Sequence, residues 1–127
     1  MSRIRSALMA LIAATAMLGS TTVFAHPKLV ASTPAANAVV ASPASIKLSF
    51  SEKLMPKLSG AELVMTKMPG MEMPPMKIAV KVTPSTDGKS LLLTPVKPLS
   101  TGTYRVDWRI VSGDTHAVKG ELVFGVK

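Results

Sequence analysis

Short runs of alternating apolar and polar residues limit this chain to a β fold. Ile46, Leu48 and Phe50 are each followed by a polar residue, which is the two-residue period of a strand with one buried face. Turn-forming residues such as Asp87-Gly88 separate such runs. Seven strands are predicted, at residues 28–32, 46–51, 61–66, 77–83, 90–94, 104–110 and 118–126. We therefore expect an all-β, seven-stranded Greek-key β-barrel or sandwich, cupredoxin-like or Ig-like.

The first 25 residues are predicted to be a secretory signal peptide that is cleaved off. Arg3 and Arg5 supply a basic start, an uncharged apolar stretch covers residues 7–18, and Val23-Phe24-Ala25 fits a cleavage site. This apolar stretch is too short to span a bilayer, which argues against the alternative of a retained anchor. We expect a single domain of residues 26–127 in the periplasm, not membrane-spanning after cleavage.

The composition narrows the chemistry that this domain can carry. The chain has 0 cysteines, so an exported domain must fold without disulfides, and its candidate metal ligands are histidine, methionine and carboxylate side chains. Without Arg3 and Arg5, 13 Lys and Arg oppose 7 Asp and Glu, a net charge of +6. The lysines are scattered and no aromatic platform is visible, so nucleic acid is not an expected partner. No nucleophile has a neighbouring base, and an enzyme is not expected.

Five methionines lie close together in the sequence MTKMPGMEMPPM, residues 65–76. Pro69, Gly70, Pro74 and Pro75 are interleaved with them, and neither a helix nor a central strand accommodates so many prolines. We therefore predict a loop at one end of the sandwich that displays thioethers, which are soft ligands suited to Cu(I). The alternative is hydrophobic packing, an interpretation that fits Met65 best because it ends a predicted strand.

Two histidines, His26 and His116, are the other candidate ligands. Cleavage after residue 25 would make His26 the first residue, which offers its α-amine and its imidazole to one metal ion when both are deprotonated. Pro27 has no amide proton for copper to displace, so this chelate needs further ligands. Asp114 and His116 are two residues apart and point the same way in extended backbone, and Glu52 follows a strand. Nitrogen and oxygen ligands of this kind suit Cu(II), although a lone histidine in a turn is usually a surface residue.

These features together resemble the CopC/PcoC family of periplasmic copper-resistance proteins. The resemblance covers residues 26–127, and its markers are His26-Pro27, Phe50-Ser51-Glu52, the five methionines, Tyr104-Arg105-Val106-Asp107-Trp108 with Val111-Ser112, and Asp114-Thr115-His116. It implies a cupredoxin-like barrel with a Cu(II) site formed by His26, His116 and either Asp114 or Glu52. It also implies a Cu(I) site formed by a subset of Met65, Met68, Met71, Met73 and Met76. No histidine lies between these methionines, so this segment should favour Cu(I).

The resemblance further implies a copper carrier or buffer in copper resistance or homeostasis, not an enzyme. Such a protein would hand copper to a CopD-like membrane transporter or to a multicopper oxidase. The residues alone leave two alternatives open. An N-terminal histidine paired with a second histidine is also the copper site of lytic polysaccharide monooxygenases, although this small domain has few aromatic residues to bind sugars. A metal-free structural sandwich would show no change in stability with copper.

Overall fold

The computed structural model describes residues 26–113 and 115–127 of the chain. The predicted signal peptide, residues 1–25, and the predicted ligand Asp114 therefore lie outside the described residues. The described part contains nine strands: β1 (Leu29–Thr33), β2 (Val39–Val40), β3 (Ile46–Phe50), β4 (Gly60–Met68), β5 (Met71–Ile78), β6 (Val80–Pro84), β7 (Ser90–Pro95), β8 (Gly102–Val111) and β9 (Ala117–Val126). Within this part no helix is long and apolar enough to cross a membrane.

The strands form two sheets. The first sheet has the order β1-β3-β7-β6, and the second has the order β2-β9-β8-β4-β5. Neighbouring strands are antiparallel, except that the two-residue strand β2 runs parallel to β9. The all-β, two-sheet prediction is confirmed.

The strand boundaries differ from the prediction in two places, and the described residues form nine strands rather than seven. Strand β2 is too short to show any alternation. The predicted strand at residues 77–83 is divided, because β5 ends at Ile78 in the second sheet and β6 begins at Val80 in the first. Both residues pack against the same core. The alternation therefore reports burial correctly but does not reveal that the chain changes sheets at Ala79.

The core lies between the sheets and is built from alternate residues of the long strands. Its members include Ile46, Leu48 and Phe50 of β3, Tyr104, Val106 and Ile110 of β8, and Leu122, Phe124 and Val126 of β9. The Tyr104 ring stacks on Phe124 at a centroid distance of 5.6 Å, and its hydroxyl donates to the Ser100 carbonyl at 2.7 Å. The half-buried Trp108 meets Phe50 edge to face at 5.9 Å. Trp108 thus packs against the core.

Strand β8 runs the length of the second sheet and separates its two ends. Near its beginning, Thr103 pairs with Lys67 of β4, next to the β4–β5 turn. At its end, Val111 pairs with Ala117, the residue after His116. Ten residues at about 3.3 Å each give a separation of about 30 Å. We call the β4–β5 hairpin, residues 65–76, the methionine end, and the region of His26 and His116 the histidine end.

Candidate metal centres

The residue at the start of the described chain is fixed at the histidine end by its neighbours. His26 is exposed, whereas Pro27 is fully buried. The Lys28 amide donates to the Ser51 hydroxyl at 2.9 Å, and the Ser51 amide donates to the Lys28 carbonyl at 2.8 Å. These contacts hold His26 on the surface near Ser51, which follows the end of β3 and precedes Glu52.

The segment that follows Glu52 also holds the turn that leads to His116. Leu54 pairs with Ser112 as an isolated bridge, and the Met55 amide donates to the Val111 carbonyl at 2.7 Å. The Thr115 amide closes the turn by donating to the Ser112 carbonyl at 2.9 Å. Three segments that are distant in sequence, residues 26–28, 51–55 and 112–116, therefore meet at one end of the sandwich.

The two histidine rings lie close to each other at this meeting point. Their centroids are 6.2 Å apart and their planes are inclined at 39°. A metal ion sits about 2 Å from a coordinating imidazole nitrogen, so two rings that share one ion on opposite sides have centroids about 6–6.5 Å apart. The observed separation of the His26 and His116 rings is compatible with one shared ion.

The oxygen ligands of the predicted Cu(II) site are not defined by the described residues. Glu52 is half-buried in a bend directly after Ser51, at the histidine end of the domain. Asp114 lies outside the described residues. In the described ranges, no group of three or more His, Cys, Asp or Glu side chains is assembled. The structure therefore brings the two histidines together, and the roles of Glu52 and Asp114 stay predictions.

The methionine segment is a β-hairpin, and the prediction of a loop was wrong. Strand β4 ends at Met68, β5 begins at Met71, and Pro69-Gly70 is the two-residue turn between them. Proline fixes φ at the first turn position, and Gly70 adopts φ 71° at the second, which glycine tolerates without strain. Prolines are compatible with β5 because it is the edge strand of its sheet.

Strand pairing and a bulge in this hairpin place the five methionines on one face. Met65 pairs with Met76, and Met68 pairs with Met71, so the members of each pair share a face. A bulge between Met65 and Lys67 brings Met65 and Met68, three residues apart, to the same side of β4. Met73 packs against the core cluster, so its side chain also lies on this side. All five thioethers extend the core-facing side of the sheet.

The exposure of these five side chains differs widely. Met65 is 1% exposed and Met73 is half-buried against the core, whereas Met68, Met76 and Met71 are 38%, 44% and 61% exposed. Met65 is therefore a core residue, as its position at a predicted strand end suggested. Met68, Met71 and Met76 present their side chains to solvent.

A cleft of about 310 Å³ lies beside this face. Met65, Met68 and Met76 line it together with Ile78, Leu99 and Tyr104, so three of the thioether side chains meet in one concave space. A Cβ at Gly102 would lie 2.5 Å from the Met65 methyl carbon and 2.5 Å from the Lys67 carbonyl oxygen, so glycine makes room for Met65. The shared face was missed by the sequence analysis, although Pro69-Gly70 is itself a signal for a two-residue turn.

Several known proteins are similar to this chain in sequence and in fold. The CopC domain model matches residues 29–127. Copper resistance protein C of Xanthomonas campestris pv. juglandis is 63% identical over 123 residues, 97% of each chain. Copper resistance protein C of Pseudomonas syringae pv. tomato is 51% identical over 114 residues, 90% of each chain. The crystal structure of PcoC, a methionine-rich copper resistance protein from Escherichia coli, superposes with a TM-score of 0.76 and 51% identity, covering 81% of this chain and 100% of that one. The chain belongs to the CopC family.

Proposed function

We propose that this protein is a periplasmic copper carrier that binds Cu(II) at its histidine end and Cu(I) at its methionine end. The observation that carries the proposal is the presence of two chemically different donor sets on one small sandwich. Paired imidazoles lie at one end, and a face of thioethers lies about 30 Å away at the other. The names of the similar proteins, which are copper resistance proteins, support copper as the cargo.

The proposed Cu(II) site uses His26 and His116, with an oxygen from Asp114 or Glu52. Removal of residues 1–25 would add the α-amine of His26 to the donor set. Neutral imidazole, amine and carboxylate are the ligands that tetragonal Cu(II) prefers. The burial of Pro27 and its neighbours' hydrogen bonds fix this terminus, so the chelate forms with little loss of chain entropy.

The proposed Cu(I) site uses the exposed thioethers of Met68, Met71 and Met76, with Met73 next to them. Thioethers are soft and uncharged, and they bind Cu(I) in preference to Cu(II). Met65 supports the site from the core, because its side chain is buried beneath the cleft. We therefore revise the predicted subset of methionine ligands to the exposed ones.

The separation of the two sites bears on how copper passes through the protein. An ion that changes oxidation state at one end cannot reach the ligands at the other end without leaving the molecule, because about 30 Å of sheet lies between them. Each end therefore exchanges copper with its own partner. A CopD-like membrane transporter and a multicopper oxidase are the proposed receivers, and the protein itself performs no catalysis.

A crossed titration tests both sites together. Three proteins are compared: residues 26–127, the same protein with one added N-terminal alanine, and the variant M68L/M71L/M76L. Cu(II) is followed by quenching of the single tryptophan, Trp108, which packs on Phe50 near the histidine end. Cu(I) is followed by competition with a chromophoric chelator under reductant.

We expect the added alanine to weaken Cu(II) binding only, and the methionine substitutions to weaken Cu(I) binding only. Equal Cu(II) affinity with and without the added residue would refute the terminal chelate. Unchanged Cu(I) affinity in the triple variant would refute the methionine site. The variant M65L, which replaces a buried methionine of the same hairpin, is the control for the Met-to-Leu change itself.

A further inference from the structure

A second cleft, of about 560 Å³, lies on the second sheet beside the histidine end. We call it the basic cleft, because its lining includes Lys57, Arg109 and Lys119. Leu58 and Trp108 also line it. Strand pairing places these residues together, because Arg109 of β8 lies opposite Lys119 of β9 and opposite Gly60 of β4. The Arg109 guanidinium donates to the Leu58 carbonyl at 3.1 Å, which fixes the loop before β4 against β8.

The charges in the basic cleft are not compensated within the described residues. Arg109 and Lys119 are directly opposite each other on antiparallel strands, an arrangement of like charges that destabilises a sheet. In the described part of the chain, no carboxylate lies within ion-pair distance of Lys57, Arg109 or Lys119. This unfavourable arrangement would be relieved by an anionic partner.

Two carboxylates, Glu62 and Asp107, also line the basic cleft, and each is engaged by a cation outside it. Glu62 accepts from Lys77 at 2.9 Å. Asp107 accepts two bonds from Arg105, at 2.8 and 3.1 Å, and this pairing raises the pKa of Arg105. Both carboxylates of the lining are therefore neutralised by cations outside the cleft, which leaves the charges of Lys57, Arg109 and Lys119 in excess.

The basic cleft also has an apolar centre. Leu58 is 48% exposed, and the half-buried Trp108 lines the same space. An exposed aliphatic side chain, a tryptophan and an arginine within a polar rim are the features that distinguish binding patches from ordinary protein surface.

The position of the basic cleft relates it to the histidine ring pair. Lys119 is three residues beyond His116, which corresponds to about 10 Å along an extended strand. A protein segment seated in the cleft would therefore lie next to the two imidazole rings. The cleft is concave, so it fits a protruding side chain of another protein better than the flat surface of a bilayer.

We propose that the basic cleft docks an acidic segment of the protein that exchanges copper with the histidine end. That the docked protein exchanges copper rests on the function proposed above, whereas the docking itself does not require metal. The segment would place carboxylates near Lys57, Arg109 and Lys119 and an apolar side chain against Leu58 and Trp108.

The test uses metal-free, ¹⁵N-labelled protein comprising residues 26–127. The probe is the peptide Ac-Glu-Glu-Leu-Glu-Glu-NH2, with Ac-Gln-Gln-Leu-Gln-Gln-NH2 as its uncharged counterpart. We expect the acidic peptide to shift the Leu58 and Arg109 amides and the Trp108 indole, and to bind more weakly as salt is added. The variant R109Q/K119Q should weaken this binding at least about fivefold, close to 1 kcal/mol.

The variant K81Q/K97Q removes the same charge from two exposed lysines elsewhere and is the matched control. An equal loss of peptide binding in both variants, or shifts spread over every lysine, would overturn the proposal in favour of general attraction. Binding to phosphatidylglycerol vesicles through Arg109 and Lys119, without binding to the peptide, would overturn it in favour of a membrane. We expect the Cu(II) affinity of R109Q/K119Q to equal that of the wild type. A loss of docking in this variant is thereby distinguished from a loss of the copper site.

Discussion

The histidine end and the methionine end hold their candidate ligands by different means. The histidine end is assembled from three segments that only the completed fold brings together, at residues 26–28, 51–55 and 112–116. The methionine end is a single hairpin whose two strands are joined by two residues. A ligand set that depends on the whole fold should be sensitive to changes in any of its segments, whereas a local hairpin should tolerate changes elsewhere.

The largest expected effect is that of His116→Gln on Cu(II) binding. The substitution removes one of the two paired imidazoles while leaving an exposed polar side chain, so stability should be unchanged. We expect Cu(II) affinity to fall at least about 100-fold, which is about 2.7 kcal/mol, with Cu(I) affinity unaltered. Fluorescence titration of Trp108 measures the loss. A parallel loss of Cu(I) affinity would show that the two ends are not independent.

The next effect concerns the packing beneath the methionine end. Gly102→Ala would place a Cβ against both the Met65 methyl and the Lys67 backbone, and the backbone cannot move aside cheaply. We expect a loss of about 2 kcal/mol in the free energy of unfolding, measured by urea denaturation. Gly60→Ala is the matched control, because no atom lies within 4 Å of its added Cβ. Equal effects of the two substitutions would contradict the tight contact between Gly102 and Met65.

A smaller effect should separate ligands from packing residues within the hairpin. Met71→Leu removes the most exposed thioether and should lower Cu(I) affinity about tenfold, or about 1.4 kcal/mol. Met65→Leu conserves volume in the core, so it should cost less than about 1.5 kcal/mol of stability and leave Cu(I) affinity unchanged. Chelator competition measures both affinities. If Met65→Leu were the more damaging of the two for Cu(I), the assignment of exposed ligands would be wrong.

The smallest effect is a dependence of stability on pH at the histidine end. The hydroxyl of Ser85 and the Lys89 amide donate to the Asp87 carboxylate and lower its pKa from the usual 3.8. The same turn supports the loop that contains Glu52, because the Gly88 carbonyl accepts from the Leu54 amide at 2.8 Å.

A lowered carboxyl pKa contributes stability that is fully present above the usual value and is lost as the pH falls through the lowered one. We therefore expect Asp87→Asn to lower Tm slightly at pH 6 and to match the wild type at pH 2. A Tm difference that persisted at pH 2 would mean that the charge of Asp87 is not responsible.

The sequence predicted the core strands well because one of their faces is buried. The alternation at Ile46, Leu48 and Phe50 and at Tyr104 and Val106 appears in the structure as fully buried positions of β3 and β8. A loop was predicted for the methionine segment because its prolines argue against a central strand. The pattern of apolar residues does not reveal that β5 is an edge strand, where prolines are tolerated.

The candidate sites were predictable to different degrees. The residue types of both donor sets were visible in the sequence, but their arrangement was not. The approach of His26 to His116 depends on hydrogen bonds such as that between Lys28 and Ser51, and no local spacing encodes it. The common face of the methionines depends on a bulge, in which β4 has one more residue than the paired β8, so the side-chain alternation of β4 shifts by one residue.

The prolines of the edge strand have a consequence for crowded solutions of this protein. An edge strand offers unpaired amides to a second chain, and a strand with exposed apolar side chains invites edge-to-edge association. Consecutive strand residues direct their amides to opposite edges, and neither Pro74 nor Pro75 has an amide proton, so whichever of them faces the free edge of β5 cannot donate to an incoming strand. The hairpin can thus expose Met68, Met71 and Met76 without becoming the seed of a growing intermolecular sheet.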